Sequence, residues 1–470
     1  MSKKVKTSTE RIEKGNYLGW PFALTHGTIL VCCAITIVLL VVMLIAMLTA
    51  PYQKFYFDGR PIVFVFFGLI ALFIFLLVGL ALVHIFSKDQ MPTYDEFKRA
   101  QNKLAYLRNK SRFPELMDLD KECVKFTNEV NEPAFESLQT LCDAFRNYNA
   151  DVLHLYYTID DIRKFIASLG TSKIMILQGM SGTGKTSIAT AFGKFINNSS
   201  TVVPVQPMWK EKSDLLGYYN EFTGKFNETT ILKKLYEANY SDKIFIIVLD
   251  EMNIARVEYY FSEFLSLLEL PPTSERTLSI ASNGQESDPK LMDHGRIILP
   301  NNVWFLGTAN NDDSTFAISD KVYDRAMVMN LNNRASSFDS GTNPQSVHIS
   351  ETRFKELVAA SKSKYSLSKE GIQRIKDLDN YLISTFQITF GNRIMGQIRN
   401  YVPIYMDCGG TENQALDDII SKKILRKLEA QNPIYVKNKS VELIAKFDEI
   451  FGQDVMENSI GYINTLLTNL

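Results

Sequence analysis

One stretch constrains the fold of this chain more than any other. Gly179-Met-Ser-Gly-Thr-Gly184-Lys185-Thr186 follows directly on the apolar segment Lys173-Ile-Met-Ile-Leu177 and leads into a helical pattern over Thr186 to Ile196. A glycine-rich turn between a strand and a helix N-terminus, with the G-x-x-x-x-G-K-[ST] spacing, is a phosphate-cradling loop. Its glycines let backbone N–H groups turn inward, and the helix N-terminus adds partial positive charge. Gly179, Ser181, Gly182, Thr183, Gly184, Lys185, Thr186 and Ser187 are therefore the candidate nucleotide-binding residues.

A second segment supports the first. Ile244 to Leu249 is an aliphatic run without alternation, and it ends in Asp250-Glu251. A strand that is apolar on both faces belongs in a parallel sheet covered by helices on each side. Asp250 at its end is placed to hold magnesium together with Thr186, and Glu251 to polarise an attacking water as general base. Strands are also expected over Thr201 to Val205 and Val303 to Gly307, with a helix over Thr229 to Ala238. Alternation of this kind predicts an α/β fold with a parallel sheet wrapped by helices, followed from about Glu351 by a separate, smaller helical bundle. A nucleoside triphosphate with Mg2+ is the expected ligand pair.

Two other segments have a different composition. Ile29 to Ala50 is 22 residues without a charge, and Pro61 to Phe86 is 26 residues with His84 as the polar exception. At helical rise the first run reaches about 33 Å, enough for a hydrocarbon layer of about 30 Å. These runs predict an N-terminal transmembrane helical hairpin. Tyr17, Trp20, Tyr52, Phe55 and Tyr56 flank the spans as interface aromatics. The first run is longer than a signal-peptide core and starts late. Lys3, Lys4, Lys6, Arg11 and Lys14 precede it, and Lys88, Lys98, Arg99 and Lys103 follow the second run, whereas the joint holds only Lys54 and Arg60. Basic flanks stay inside. The expectation is a multi-pass protein of the cell (inner) membrane, with both termini and the nucleotide site cytoplasmic and the lipid bilayer as a partner.

The resulting organisation is a tail over 1–28, a hairpin over 29–86, a helical connector over 87–150, a nucleotide-binding core over 151–345 and C-terminal helices over 346–470. A net charge of −1 provides no global field toward nucleic acid, which weakens a reading of direct nucleic-acid binding without excluding it. The five histidines are scattered and make no nuclease or protease constellation. Met208-Trp209 and Tyr218-Tyr219 read as locally packed aromatics, and Pro271 to Pro300 reads as a polar hairpin insertion.

At the level of whole motifs, Leu249-Asp-Glu-Met-Asn-Ile-Ala-Arg-Val-Glu-Tyr-Tyr-Phe-Ser-Glu-Phe-Leu265 resembles the Walker B region of AAA+ ATPases on the branch of McrB-type restriction motors, MoxR-like and dynein-related ATPases. Gly307-Thr-Ala-Asn-Asn311 resembles its sensor 1 strand end, Ile318-Ser-Asp-Lys-Val-Tyr-Asp-Arg325 its arginine-finger segment, and Phe390-Gly-Asn-Arg393 its sensor 2. The resemblance implies an AAA+ P-loop NTPase core with a C-terminal helical lid. It also implies that Asn310 aligns water on the γ-phosphate and that Arg325 reaches into a neighbouring subunit. Arg393 would touch the γ-phosphate from its own lid, with Arg399 as the competing candidate. The resemblance further implies that the segment of Tyr218 and Tyr219 faces a central pore, where they would grip a substrate chain, with local packing as the alternative. A homo-oligomer, a hexamer, follows from the finger. The branch further suggests phage or genome defence, with an effector protein encoded separately. McrB-type GTPases carry Met-Asn-x-x-Asp-Arg-Ser after sensor 1, whereas this chain has Ala309-Asn-Asn-Asp-Asp313-Ser-Thr315, which favours ATP over GTP. The alternatives are a nucleotide-dependent assembly switch on the membrane and a GTPase motor subunit of a restriction nuclease.

Overall fold

The structure is a computed structural model that describes residues 34–42, 45, 68, 70–78, 111–123, 135–180, 182–271, 276–310, 315–332 and 335–468. The chain divides into two compact units, Met1–Lys110 and Ser111–Leu470. In the first unit, the described stretches 34–42 and 70–78 are helical, with Ile35, Val38, Ile74 and Phe75 among their exposed side chains. Most of the two apolar runs lies outside the described residues. Among the described residues, no helix is long and apolar enough to cross a membrane.

The second unit is built on five parallel strands: β1 (Ile174–Gln178), β2 (Thr201–Pro204), β5 (Phe245–Asp250), β8 (Val303–Ala309) and β9 (Met327–Asn330). Their order across the sheet is β2-β5-β8-β1-β9. Strand β8 therefore sits between the phosphate-loop strand and the acid strand, pairing Leu177 with Thr308 on one side and Leu249 with Gly307 on the other. This places Gly179, Asp250 and Asn310 at one edge of the sheet, where the carboxyl ends of the strands form the ligand-binding crevice of open α/β sheets.

The uniform apolarity of β5 has a structural cause. Ile246 and Val248 enter one core with Met175, Leu177, Trp304 and Leu306. Phe245, Ile247 and Leu249 enter a second core on the other face with Ile174, Ile176, Val303 and Phe305. Period-two alternation is present but sorts side chains between two cores rather than between core and water. The first face is covered by α2 (Leu138–Asp151), α3 (Ile159–Thr171), α4 (Lys185–Phe195) and the C-terminal helices. The second is covered by α6 (Thr230–Ala238) and by Tyr260, Phe261 and Phe264. Leu138, Leu141 and Phe145 of α2, from the segment read as a connector, are fully buried in the first core.

Two small antiparallel ladders project from this frame. β3 (Gly217–Asn220) pairs with β4 (Lys225–Glu228), and β6 (Thr277–Ser279) with β7 (Arg296–Ile298). The second is the hairpin expected within 271–300. The first was not anticipated. Gly217 makes it possible, because at φ +101° a Cβ there would lie 1.9 Å from the Asn227 carbonyl oxygen. Trp209 is buried on Tyr260, whereas Tyr218, Tyr219 and Met208 are exposed, as is Phe222 at the hairpin tip.

From Glu351 onward the chain is helical, as expected. α10 (Glu351–Lys364), α11 (Lys369–Phe386), α12 (Asn392–Asp407), α13 (Glu412–Lys423), α14 (Pro433–Phe451) and α15 (Glu457–Thr468) form the C-terminal region. Ile398, Tyr401, Val402, Tyr405, Leu416 and Ile420 join the same core as the sheet's first face, so this region is not the separate bundle expected but is fused to the sheet through apolar packing.

Candidate nucleotide site

The phosphate loop leaves β1 at Gln178 and enters α4 at Lys185. Gly179 has φ +145°, and a Cβ there would lie 2.4 Å from the Leu331 carbonyl oxygen, so no side chain fits. Gly182 (φ +78°) faces open space, and Gly184 (φ +90°) is the residue preceding the helix. Thr183 Oγ1 donates to the Met180 carbonyl at 2.9 Å. Lys185 is buried, and its ammonium donates to the carbonyls of Gly179 and Met180, both at 2.8 Å. Ser187 lies in the first turn of α4; Ser181 lies outside the described residues.

The acid strand meets this loop directly. Thr186 Oγ1 donates to Asp250 Oδ1 at 2.8 Å, and Thr308 Oγ1, from the intervening β8, donates to the same oxygen at 2.8 Å. Thr308 Oγ1 also accepts the Glu251 backbone N–H at 2.8 Å. Glu251 has φ 52° and ψ 48°, a left-handed conformation for a residue with a side chain. Such a conformation costs on the order of 1–3 kcal/mol and persists only where surrounding contacts impose it. Here the Thr308 bond is one such contact, and the Glu251 residue stays exposed.

Asn253, buried in the turn after Glu251, joins the acid strand to the sensor strand. Its Nδ2 donates to the Asn310 carbonyl at 2.8 Å, and its carbonyl accepts the Phe316 N–H at 2.8 Å. Gly179, Asn253 and Asn310 line a cavity of about 1080 Å³ that extends between the sheet edge and the C-terminal helices, reaching Thr158, Lys422 and Arg426. Lys185, Thr186 and Asp250 are not part of its lining. The cavity adjoins the phosphate loop on the side of its first glycine. Tyr157 donates its hydroxyl to the Gly184 carbonyl at 3.1 Å, bracing the loop from outside; burial pushes that phenol above its ordinary range.

The two arginines lie together. Arg325 Nε is 3.2 Å from Glu269 Oε1, and an Arg393 guanidinium nitrogen is 2.9 Å from the same oxygen. Asp320, five residues before Arg325, pairs with Arg426. Arg399 is exposed on α12. Three participants escaped the sequence reading: Thr308, Tyr157 and Glu269. Thr308 sits inside the Gly307-Thr-Ala-Asn motif and was open to detection; Tyr157 and Glu269 carry no local pattern. Among the described residues, no group of three or more His, Cys, Asp or Glu side chains is arranged to hold a metal by itself.

A five-stranded parallel sheet with a glycine loop at β1 and an acid at the end of a strand two positions away defines a P-loop nucleotide-binding domain. Residues 174–326 match the family model of the AAA domain, dynein-related subfamily, so the chain carries an AAA+ ATPase domain there. Residues 346–470 match a domain of unknown function, DUF8727. Comparison with curated proteins found no match. Among solved structures, a candidate ATPase from Cytophaga hutchinsonii is similar at 16% identity and a TM-score of 0.34, covering 80% of this chain and 98% of that one. A full-length MCM homolog from Methanopyrus kandleri is similar at 10% identity and a TM-score of 0.34, covering 61% of this chain and 62% of that one.

Proposed function

We propose that this protein is a membrane-anchored AAA+ ATPase of the McrB, MoxR and dynein-related branch, which hydrolyses ATP in a ring, a hexamer, to remodel or drive a partner protein. The observation that carries the reading is the Thr186–Asp250 contact at 2.8 Å, which joins the helix after the phosphate loop to the end of the acid strand. Two hard oxygen donors at one point suit magnesium, which Thr186 and Asp250 would hold. Magnesium, when bound, neutralises charge on the phosphate oxygens.

Lys185 moves from its two loop carbonyls to the β- and γ-phosphates. Glu251 takes the proton of the attacking water, and Asn310 orients that water. Arg325, in a partly buried ion pair with Glu269 rather than on its own phosphate loop, serves the triphosphate of the neighbouring subunit. The missing GTPase signature favours ATP. The apolar runs at 29–50 and 61–86 support anchoring in the cell membrane with a cytoplasmic ATPase domain. Branch resemblance supports a separately encoded effector and a role in phage or genome defence.

One observation favours a second reading, an assembly switch. Arg325 and Arg393 are both engaged by Glu269 within a single chain, so release from Glu269 could accompany ring formation. Full-length protein in detergent, assayed with ATP and Mg2+ across a concentration series, separates the two. Sustained turnover that rises with assembly supports the motor, and one slow turnover per assembly event supports the switch. Absence of both binding and hydrolysis overturns either reading.

A further inference from the structure

The turn that carries Arg325 follows a single helical turn, α9 (Asp320–Tyr323), and precedes the edge strand β9. Two of its backbone N–H groups, those of Arg325 and Ala326, return to the Val322 carbonyl at 3.1 and 3.0 Å. Carbonyls at the end of so short a helix have no helical partner and must find donors elsewhere. Four consecutive ones find side chains. Lys423 donates to the carbonyls of Tyr323 and Ala326. Gln397 Nε2 donates to the Asp324 carbonyl at 2.9 Å, and Ser172 Oγ to the Arg325 carbonyl at 3.1 Å. Arg426 stacks on the Tyr323 ring with its guanidinium 3.7 Å from the centroid and pairs with Asp320 at the start of the same helix.

Gln397, Lys423 and Arg426 belong to the C-terminal region matched only to a domain of unknown function. Lys423 is 3% exposed. A buried ammonium must have its donors satisfied, and the two acceptors of Lys423 named above flank Arg325 on either side.

We infer that the C-terminal helices act on hydrolysis through Arg325: Lys423 and Gln397 are positioning residues that hold the turn 323–326 so that its arginine is presented to the neighbouring protomer's triphosphate. This rests on the reading of Arg325 as acting across a subunit interface. The C-terminal region thereby acquires a role in the site of the next subunit, distinct from that of a lid over its own.

The test uses full-length Lys423→Met, Gln397→Ala, Arg325→Ala and Lys185→Ala proteins, alone and mixed in pairs. Lys423→Met alone is expected to lose at least tenfold in kcat, with KM and binding of a fluorescent ATP analogue within twofold of the parent. Mixing it with Lys185→Ala restores hydrolysis, because one protomer keeps the phosphate loop and the other an ordered arginine. Mixing it with Arg325→Ala restores nothing. Recovery in the Arg325→Ala plus Lys185→Ala control without recovery in the Lys423→Met mixture overturns the inference and leaves the cross-subunit reading standing. No recovery in that control removes the reading and the inference with it. Should Lys423→Met lose its cooperative melt, Gln397→Ala carries the test. Its expected result is a several-fold fall in kcat with the same rescue pattern, and parental kcat overturns the inference.

Discussion

Arg325 and Arg393 share a single carboxylate oxygen, Glu269 Oε1, at 3.2 and 2.9 Å. They lie 68 positions apart in sequence and come from different regions, one from the AAA domain and one from α12. Two guanidiniums this close repel unless an anion lies between them. Glu269 supplies that anion and holds both arginines in place.

Glu269→Gln removes the shared anion while keeping the shape. We expect a several-fold fall in kcat with nucleotide affinity unchanged, read from steady-state kinetics beside a binding titration. The pairs are partly exposed, so the melting free energy should change by about 1 kcal/mol or less.

Lys185→Ala should abolish binding of ATP, since its ammonium is the charge the loop presents to phosphate. Isothermal titration with ATP and Mg2+ checks this, and an unchanged Kd would remove the phosphate-loop assignment.

Glu251→Gln should keep ATP affinity and lose at least 100-fold in turnover, as general-base contributions reach about 10²–10⁴. Size analysis in ATP should then show a long-lived assembled species. A monomer with normal turnover would contradict both the base and the ring.

Lys423 provides a pH test. Burial pushes its ammonium down to about 7, against the opposing pull of Asp324 and with help from the nearby Arg426, Arg393 and Lys427. The folded value therefore lies below the unfolded one near 10.4. Between the two, the unfolded chain binds the extra proton, so stability rises with pH. The cost of burying the charge is fully present below about 7 and relieved as pH climbs toward 10. Melting temperature of the parent relative to Lys423→Met should increase across that window; a flat difference would count against the shift.

The local signals proved informative where chemistry demands particular residues in a short span. Glycines at 179, 182 and 184 adopt positive φ because the loop needs them, and the aliphatic run ending at Asp250 is covered on both faces. The later aliphatic segment Met327–Asn330 was not recognised as a strand. It is four residues long, and nothing in so short a run separates a sheet edge from a loop. The hairpin of β3 and β4 was also missed. Its turn residues, Glu221 to Gly224, carry no two-residue turn signature, and Gly217 acts through contact with Asn227 rather than through local sequence. The apolar runs at 29–50 and 61–86 remain an expectation from composition, lying mostly outside the described residues.

By itself the sequence determined the sheet class, the loop that cradles phosphate and the acid pair beside it, because glycine freedom, strand polarity and a helix N-terminus are properties of contiguous residues. Tertiary structure alone decided that Thr308 links Asp250 to Glu251, that Arg325 and Arg393 converge on Glu269, and that Lys423 holds the arginine turn. Each of those relationships joins residues far apart in the chain. They depend on β8 inserting between β1 and β5 and on the C-terminal helices docking against the sheet, and no local pattern encodes the partner of a side chain that only packing brings near.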